Sequence, residues 1–283
     1  MTDFVANRHA LRVQPVGEAA LHPHEPWGEA SPDHDPDACP DDPLGFVHSI
    51  EAGSTVDGPG LRLVVFLTGC TLRCQYCHNP DTWDRYNGRP TTLARMRREI
   101  AKYAKALRVA GGGVTLSGGE PLMQPAFTRA VFAACKAMGL HTALDTSGRL
   151  GAAFSDEDLT LVDLHLLDIK AGDPDTYRRV TGQPLQPTLA YAARLSALAR
   201  PVWVRFVLVP GLTDAPDDVA RIADLCAAQR GLERVEVLPF HQMGRDKYRK
   251  LGLAYPLAQA EPPGLALLDR VRAQFAARGL DVR

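Results

Sequence analysis

Nowhere in this sequence do apolar residues run for the roughly 18 positions that carry a helix across a bilayer. Its start also lacks the basic-then-apolar order of a secretory signal. A membrane protein is excluded on this reading, and a cytoplasmic location is expected. Charge of one sign is lacking too: 32 Lys and Arg stand against 33 Asp and Glu, a formal net charge of -1. The chain as a whole therefore has no electrostatic attraction for nucleic acid. Cysteine is sparse, at 6 in 283 residues. Three of the six crowd into residues 70–77, and in a cytoplasmic chain such a cluster points to a metal site rather than to disulfides. A second CxxC pair, which a closed zinc site commonly uses, is absent.

What is present is an ordinary globular composition, 45% apolar and 23% charged, at a length that suits one catalytic domain. Residues 1–44 stand apart. They are rich in Pro, His and Asp and carry nine acids against Arg8 and Arg12, a balance of -7 that leaves +6 for the remainder. Without a sustained apolar period such a segment cannot offset its ordering entropy, so it reads as a disordered or loosely attached extension. Its histidines and Cys39 repeat no metal-binding spacing. The catalytic domain is set at residues 45–283.

Six short, apolar, often β-branched runs read as strands: 62–69, 113–117, 140–145, 164–169, 202–209 and 234–240. Helical stripes fall between and after them, at Leu93, Met96, Ile100, Ala104 and Leu107, at Phe127, Val131 and Met138, at Val219, Ile222 and Cys226, and at Leu265, Leu268, Val271 and Phe275. Strand and helix repeated six times imply parallel strands joined by right-handed crossovers. An α/β fold of the partial (β/α)6 TIM-like type fits about 240 residues, although periodicity does not separate it from a doubly wound open sheet.

In either topology the chemistry belongs at the carboxyl ends of the strands. Cys70 follows the first strand, Ser117-Gly118-Gly119-Glu120 the second, and Asp145-Thr146-Ser147-Gly148 the third. Asp168 and Lys170, either side of Ile169, close the fourth, and His241 follows the sixth. In GCTLRCQYCHNP, Cys70, Cys74 and Cys77 are spaced four and three positions apart. Three thiolates on a [4Fe-4S] cube satisfy three irons and leave the fourth open to a small molecule. His78 as a fourth ligand of a zinc or electron-transfer site is the alternative, as are three merely buried thiols.

The CxxxCxxC loop with Tyr76 before its third cysteine resembles the radical S-adenosylmethionine superfamily. TVDGPGLR, GCTLRCQYCHNPDTW, GGGVTLSGGEP, LDTSG, LLDIK, VWVRFVLVPG and LPFHQMG, in that order, resemble the glycyl-radical-enzyme activases, in particular those serving pyruvate formate-lyase. The likeness runs from about Phe46 to the last residue. It implies an oxidoreductase in which Cys70, Cys74 and Cys77 bind one [4Fe-4S] cluster and S-adenosylmethionine chelates the open iron. It further implies that Tyr76 and His78 line the adenine, and that Gly118, Gly119 and Glu120 receive the methionine amino group. Asp168, Ile169, Lys170, Arg205 and His241 would hold the carboxylate and ribose. Asp145 and Asp168 resemble residues of a monovalent-cation site, and Asp57 would face the peptide being activated, with Lys170 beside the reacting groups.

The implied partners are a glycyl radical enzyme, with pyruvate formate-lyase expected, and a flavodoxin or ferredoxin as electron donor; the chain itself is expected to be a monomer. No cysteine-rich insert lies between Cys77 and Gly118, which argues for a single cluster. A radical enzyme acting on a small metabolite is the rival reading, and a non-catalytic metal module the third. Plainer readings also exist for single residues. Gly118-Gly119 can be a tight turn, Asp168 and Lys170 a surface pair, His241 a structural histidine, and Cys135 and Cys226 packed thiols.

Overall fold

The computed structural model describes residues 42–283, so the expected extension lies outside the described residues except at its last three positions. The first strand, β1 (Gly45–Ser54), doubles back into β2 (Arg62–Leu67) and pairs with it antiparallel, and the short β3 (Arg89–Thr91) pairs with the other edge of β1. Neither β1 nor β3 was foreseen. In GFVHSIEAGS the burial alternates only at the start and residues 51–53 are exposed, so the period-2 signal is too short to read.

From β2 onward the expected order holds. Helix α1 (Leu93–Val109) leads to β4 (Gly113–Gly118), α2 (Pro125–Ala137) to β5 (His141–Thr146), and β6 (Leu164–Asp168) follows. Then come α3 (Pro174–Thr181), α4 (Gln186–Ala197), β7 (Val202–Leu208), α5 (Pro216–Ala227), β8 (Leu232–Pro239), α6 (Arg245–Lys250) and α7 (Leu265–Ala276). The sheet order is β3-β1-β2-β4-β5-β6-β7-β8, with every pair from β2 to β8 parallel.

The helical stripes are the buried faces. Met96, Ile100, Ala104 and Leu107 of α1 enter the main core, each large side chain contributing roughly 2 kcal/mol by burial. Thr92 caps this helix by accepting from the Arg95 amide at 3.1 Å. Cys135 and Cys226 are buried, free thiols in the same core.

One crossover departs from the sixfold strand-helix repeat. Between β5 and β6 the chain makes only two 3-10 turns, Gly151–Ala153 and Asp158–Leu161. Tyr191 of α4 packs on this connection, so closely on Gly148 and Gly151 that a Cβ at either would press into its ring.

The sheet is curved. The loop between β1 and β2 is hydrogen-bonded to Arg205 on β7, four strands along the order. Along β7, Trp203, Arg205 and Val207 face the interior cavity while Val204, Phe206 and Leu208 enter the core, so the inner wall and the helix-covered face alternate. The edge of β8 is covered by residues 281–283, where the Asp281 carbonyl accepts from Val235 and the Arg283 carbonyl from Val237, at 2.8 and 2.9 Å. The result is an incomplete barrel with a cavity of about 790 Å³ inside it.

Candidate active site

The loop after β2 is held at both ends by backbone hydrogen bonds. Gly69 and Cys70 donate to the carbonyls of Thr82 and Trp83, at 2.7 and 3.1 Å, and Arg73 and Gln75 donate to Thr181 and Val180 at the end of α3. Between these ties, Leu72 packs with Tyr177 and Leu185, and Tyr76 with Val180, Val209 and Phe240. The apolar residues are thus anchors, and Cys70, Cys74 and Cys77 all line the cavity as free, partly buried thiols. Burial pushes all three thiols up, Cys74 to about 12. Thiols so placed ionise when a metal centre supplies the compensating charge.

Gly118 and Gly119 also line the cavity, yet the reason only glycine fits lies behind them. Gly118 has φ +112°, and a Cβ on Gly119 would come within 2.5 Å of the Gly69 carbonyl oxygen. The Gly119 and Glu120 amides donate to Leu67 and Gly69, both at 2.8 Å, so the end of β4 is stitched to the start of the cysteine loop.

Glu120 does not line the cavity. Its carboxylate is 1% exposed and accepts from Thr146 Oγ1 (2.7 Å), Ser147 N (3.0 Å) and Ser147 Oγ (2.6 Å), tying β4 to β5. Ile169 likewise belongs to the core, its amide donating to the Arg205 carbonyl at 3.0 Å. The other expected site residues, Asp57, Tyr76, His78, Asp145, Asp168, Lys170, Arg205 and His241, all meet at the cavity wall.

Their electrostatics are tightly linked. Lys170 lies 2.6 Å from Asp168; burial works against its charge, but Asp168, Tyr76 and Cys74 outweigh that and hold it well above the usual lysine range. Arg205 reaches Asp57 at 3.3 Å, Asp145 at 3.6 Å and Glu236 at 3.1 Å, and these carboxylates with Asp168 overcome its burial and raise it. Asp145 accepts from Ser117 Oγ at 2.5 Å; burial, and after it the neighbouring Asp168, push its carboxyl up to about 6 against the pull of Arg205. His78 stacks on His241 at 4.0 Å, and burial followed by that neighbour lowers it to about 4.

Three side-chain atoms on this wall are buried without a partner: Tyr76 OH, His78 Nε2 and Asp145 Oδ1. Unpaired buried polar atoms are costly, and three of them around one cavity beside three thiols mark a site completed by a polar ligand.

Residues 64–226 match the Radical SAM superfamily. The pyruvate formate-lyase-activating enzyme of Staphylococcus epidermidis is 44% identical over 226 residues, covering 77% of this chain and 90% of that protein. That of Staphylococcus aureus is 45% identical over the same share. The chain belongs to the radical SAM superfamily, within the pyruvate formate-lyase-activating family. A domain of the corresponding enzyme of Bacteroides vulgatus shares the fold at a TM-score of 0.51 and 23% identity, over 61% of this chain and 98% of that one. Streptococcus suis SuiB bound to its precursor peptide shares it at 0.59 and 16%, over 80% and 48%. A radical SAM protein takes a [4Fe-4S] cluster and S-adenosylmethionine, and the donor set fits both: three thiols for the cluster, and orphaned polar atoms beside them for the cosubstrate.

The sequence reading missed Trp203, Arg234 and Glu236, which line the same cavity of this radical SAM chain. The signal was available in VWVRFVLV and RVEVLPF. There charged residues alternate with valine at period 2, a pattern that puts Arg205, Arg234 and Glu236 on the inner face of strands whose other face is core.

Proposed function

We propose that this protein activates a glycyl radical enzyme of the pyruvate formate-lyase kind, abstracting a hydrogen atom from a backbone glycine Cα of its partner. Cys70, Cys74 and Cys77 would hold the cluster, which supplies the one-electron reduction that splits S-adenosylmethionine into methionine and a 5'-deoxyadenosyl radical. The chain's own part is to bind, orient and shield. The backbone at Gly118-Gly119 is open to the cosubstrate's amino group, and the Asp168–Lys170 pair and Arg205 offer charges for its carboxylate and ribose. The stacked His78 and His241, with Tyr76, offer flat surfaces for the adenine. Asp145 and Asp168 offer carboxylate oxygens to a monovalent cation beside that carboxylate.

The reading rests on one observation above the rest: a single cavity joins the three thiols to the Thr55–Gly60 loop, with Asp57 on its wall. Such a cavity has room for both a cosubstrate and a strip of peptide, and Val56 is 71% exposed at the loop's crest, where a partner can meet it. A glycine Cα suits this chemistry because no side chain blocks approach. A flavodoxin or ferredoxin supplies the electron, and the +6 balance of residues 45–283 favours an acidic carrier.

The test uses a short peptide carrying the glycine loop of pyruvate formate-lyase. It is expected to stimulate 5'-deoxyadenosine formation, and deuterium at its glycine Cα is expected in the product. L-alanine at that position suppresses transfer, and Asp57→Asn weakens the peptide response more than S-adenosylmethionine binding. If neither the peptide nor intact pyruvate formate-lyase accepts the radical while a small metabolite exchanges deuterium efficiently, the reading is wrong.

A further inference from the structure

Strands β7 and β8 run in register with Trp203 opposite Arg234 and Arg205 opposite Glu236. Side chains two apart share a face, so these four make a cross-strand ladder along the cavity, which all four line. The Arg234 guanidinium lies 3.3 Å from the Trp203 ring centroid, a cation over an aromatic face. Glu236 stands between the two arginines, one oxygen accepting from Arg205 Nε at 3.1 Å and the other 3.9 Å from Arg234.

The terminal nitrogens of Arg205 are directed elsewhere. One donates to the Val56 carbonyl at 2.5 Å and to Asp57 at 3.3 Å, and the other faces Asp145 at 3.6 Å. A guanidinium is a rigid planar fork, so fixing its Nε–H fixes where both terminal groups point. Among the described residues, only Glu236 engages Nε of Arg205.

We propose that Glu236 is a positioning residue for Arg205: it sets the rotation of the guanidinium and thereby holds the Thr55–Gly60 loop against the cavity, ready to receive the partner's backbone. The loop-holding role stands on geometry alone, whereas the role toward the partner rests on the function proposed above.

Hydrogen exchange at the amides of residues 55–58 and 60, measured on iron-loaded protein without peptide, tests the loop-holding role. Glu236→Ala is expected to speed that exchange about tenfold, the scale of one charge-assisted hydrogen bond. Glu236→Gln, which keeps an oxygen for Nε, is expected to restore most of the protection, and α7 is expected to be unaffected in both. Glu236→Leu, closer in volume, makes the same comparison where alanine unfolds the strand. Unchanged exchange at 55–60 on loss of the acceptor overturns the proposal, and so does equal loosening by Gln and Ala or loosening spread through β8.

For the second role, the KM for the glycine-loop peptide is expected to rise about tenfold in Glu236→Ala, with the KM for S-adenosylmethionine moving far less. Equal loss toward both substrates overturns it. If neither the peptide nor intact pyruvate formate-lyase accepts the radical from wild type while a small metabolite exchanges deuterium efficiently, and the exchange response at the loop is as expected, the proposed function fails and the loop-holding role stands.

Discussion

Two kinds of cysteine share this chain, and their surroundings separate them. Cys70, Cys74 and Cys77 border the cavity on a loop anchored by Leu72 and Tyr76, whereas Cys135 and Cys226 sit on the buried faces of α2 and α5. Replacing any of the first three by alanine is expected to abolish both iron binding and 5'-deoxyadenosine formation. Cys135→Ala and Cys226→Ala are expected to keep both and to cost about 1 kcal/mol of stability, the scale of a small cavity. Iron content after anaerobic reconstitution, read beside a denaturant melt, separates the two groups. Full iron loading in any of the first three variants would remove that residue from the ligand set. Glu120 teaches the complementary lesson. Its place after Gly118-Gly119 suggested a partner for an ammonium group, but its carboxylate accepts from Thr146, Ser147 and the Leu122 amide, and no feature of the GGE triplet announces which neighbours will surround it.

At the scale of elements, the junction between the end of β4 and the start of the cysteine loop controls the site without touching any metal. Gly119 is pressed against the Gly69 and Thr82 carbonyls, so a methyl group there must push the loop outward. Gly119→Ala is therefore expected to cost about 2 kcal/mol or more and to lower iron retention although every ligand is intact. Gly182, with φ +72° and open space around its Cβ position, is the control. Gly182→Ala is expected to cost about 1 kcal/mol of backbone strain and leave iron loading alone. Equal iron retention in the two variants would show that the junction does not position the loop. The β5–β6 crossover makes a related point. Its residues lack a helical period, and Tyr191 of α4 packs on its glycines while Phe154, Leu159 and Val162 of the crossover itself enter the core.

At the scale of the whole molecule, stability depends on keeping a buried histidine neutral. His165 on β6 is fully buried with Tyr191 Oη 3.2 Å from its Nδ1, and burial lowers it to about 3. Above pH 6.5 neither state is protonated there. As pH falls from 6.5 toward 3, the unfolded chain takes a proton that the folded one refuses, so stability is lost at roughly 1.4 kcal/mol per pH unit. Asp145, raised to about 6, acts in the opposite direction, so the useful measurement is a difference. The wild-type unfolding free energy is expected to fall more steeply than that of His165→Gln between pH 6.5 and 4.5, and parallel curves would refute the assignment. A chain beginning at Leu44 is expected to fold and to retain iron, since β1 starts at Gly45 and the described core draws on later residues. Loss of soluble protein on truncation would show otherwise. The sequence by itself determined the six parallel strands, the four helical stripes, the three-thiol loop and the cavity residues at strand ends such as Gly118, Gly119, Asp145 and Asp168, because each is encoded by local spacing or by position at a strand's end, whereas Asp57, Tyr76, His78 and Arg205 were legible through the family resemblance. Only the tertiary structure decided that the sheet curls far enough for Arg205 to reach the β1–β2 loop, and that Glu120 and Ile169 face away from the cavity. Those facts depend on curvature and on the register between strands distant in sequence, and neither is written in the period of any single strand.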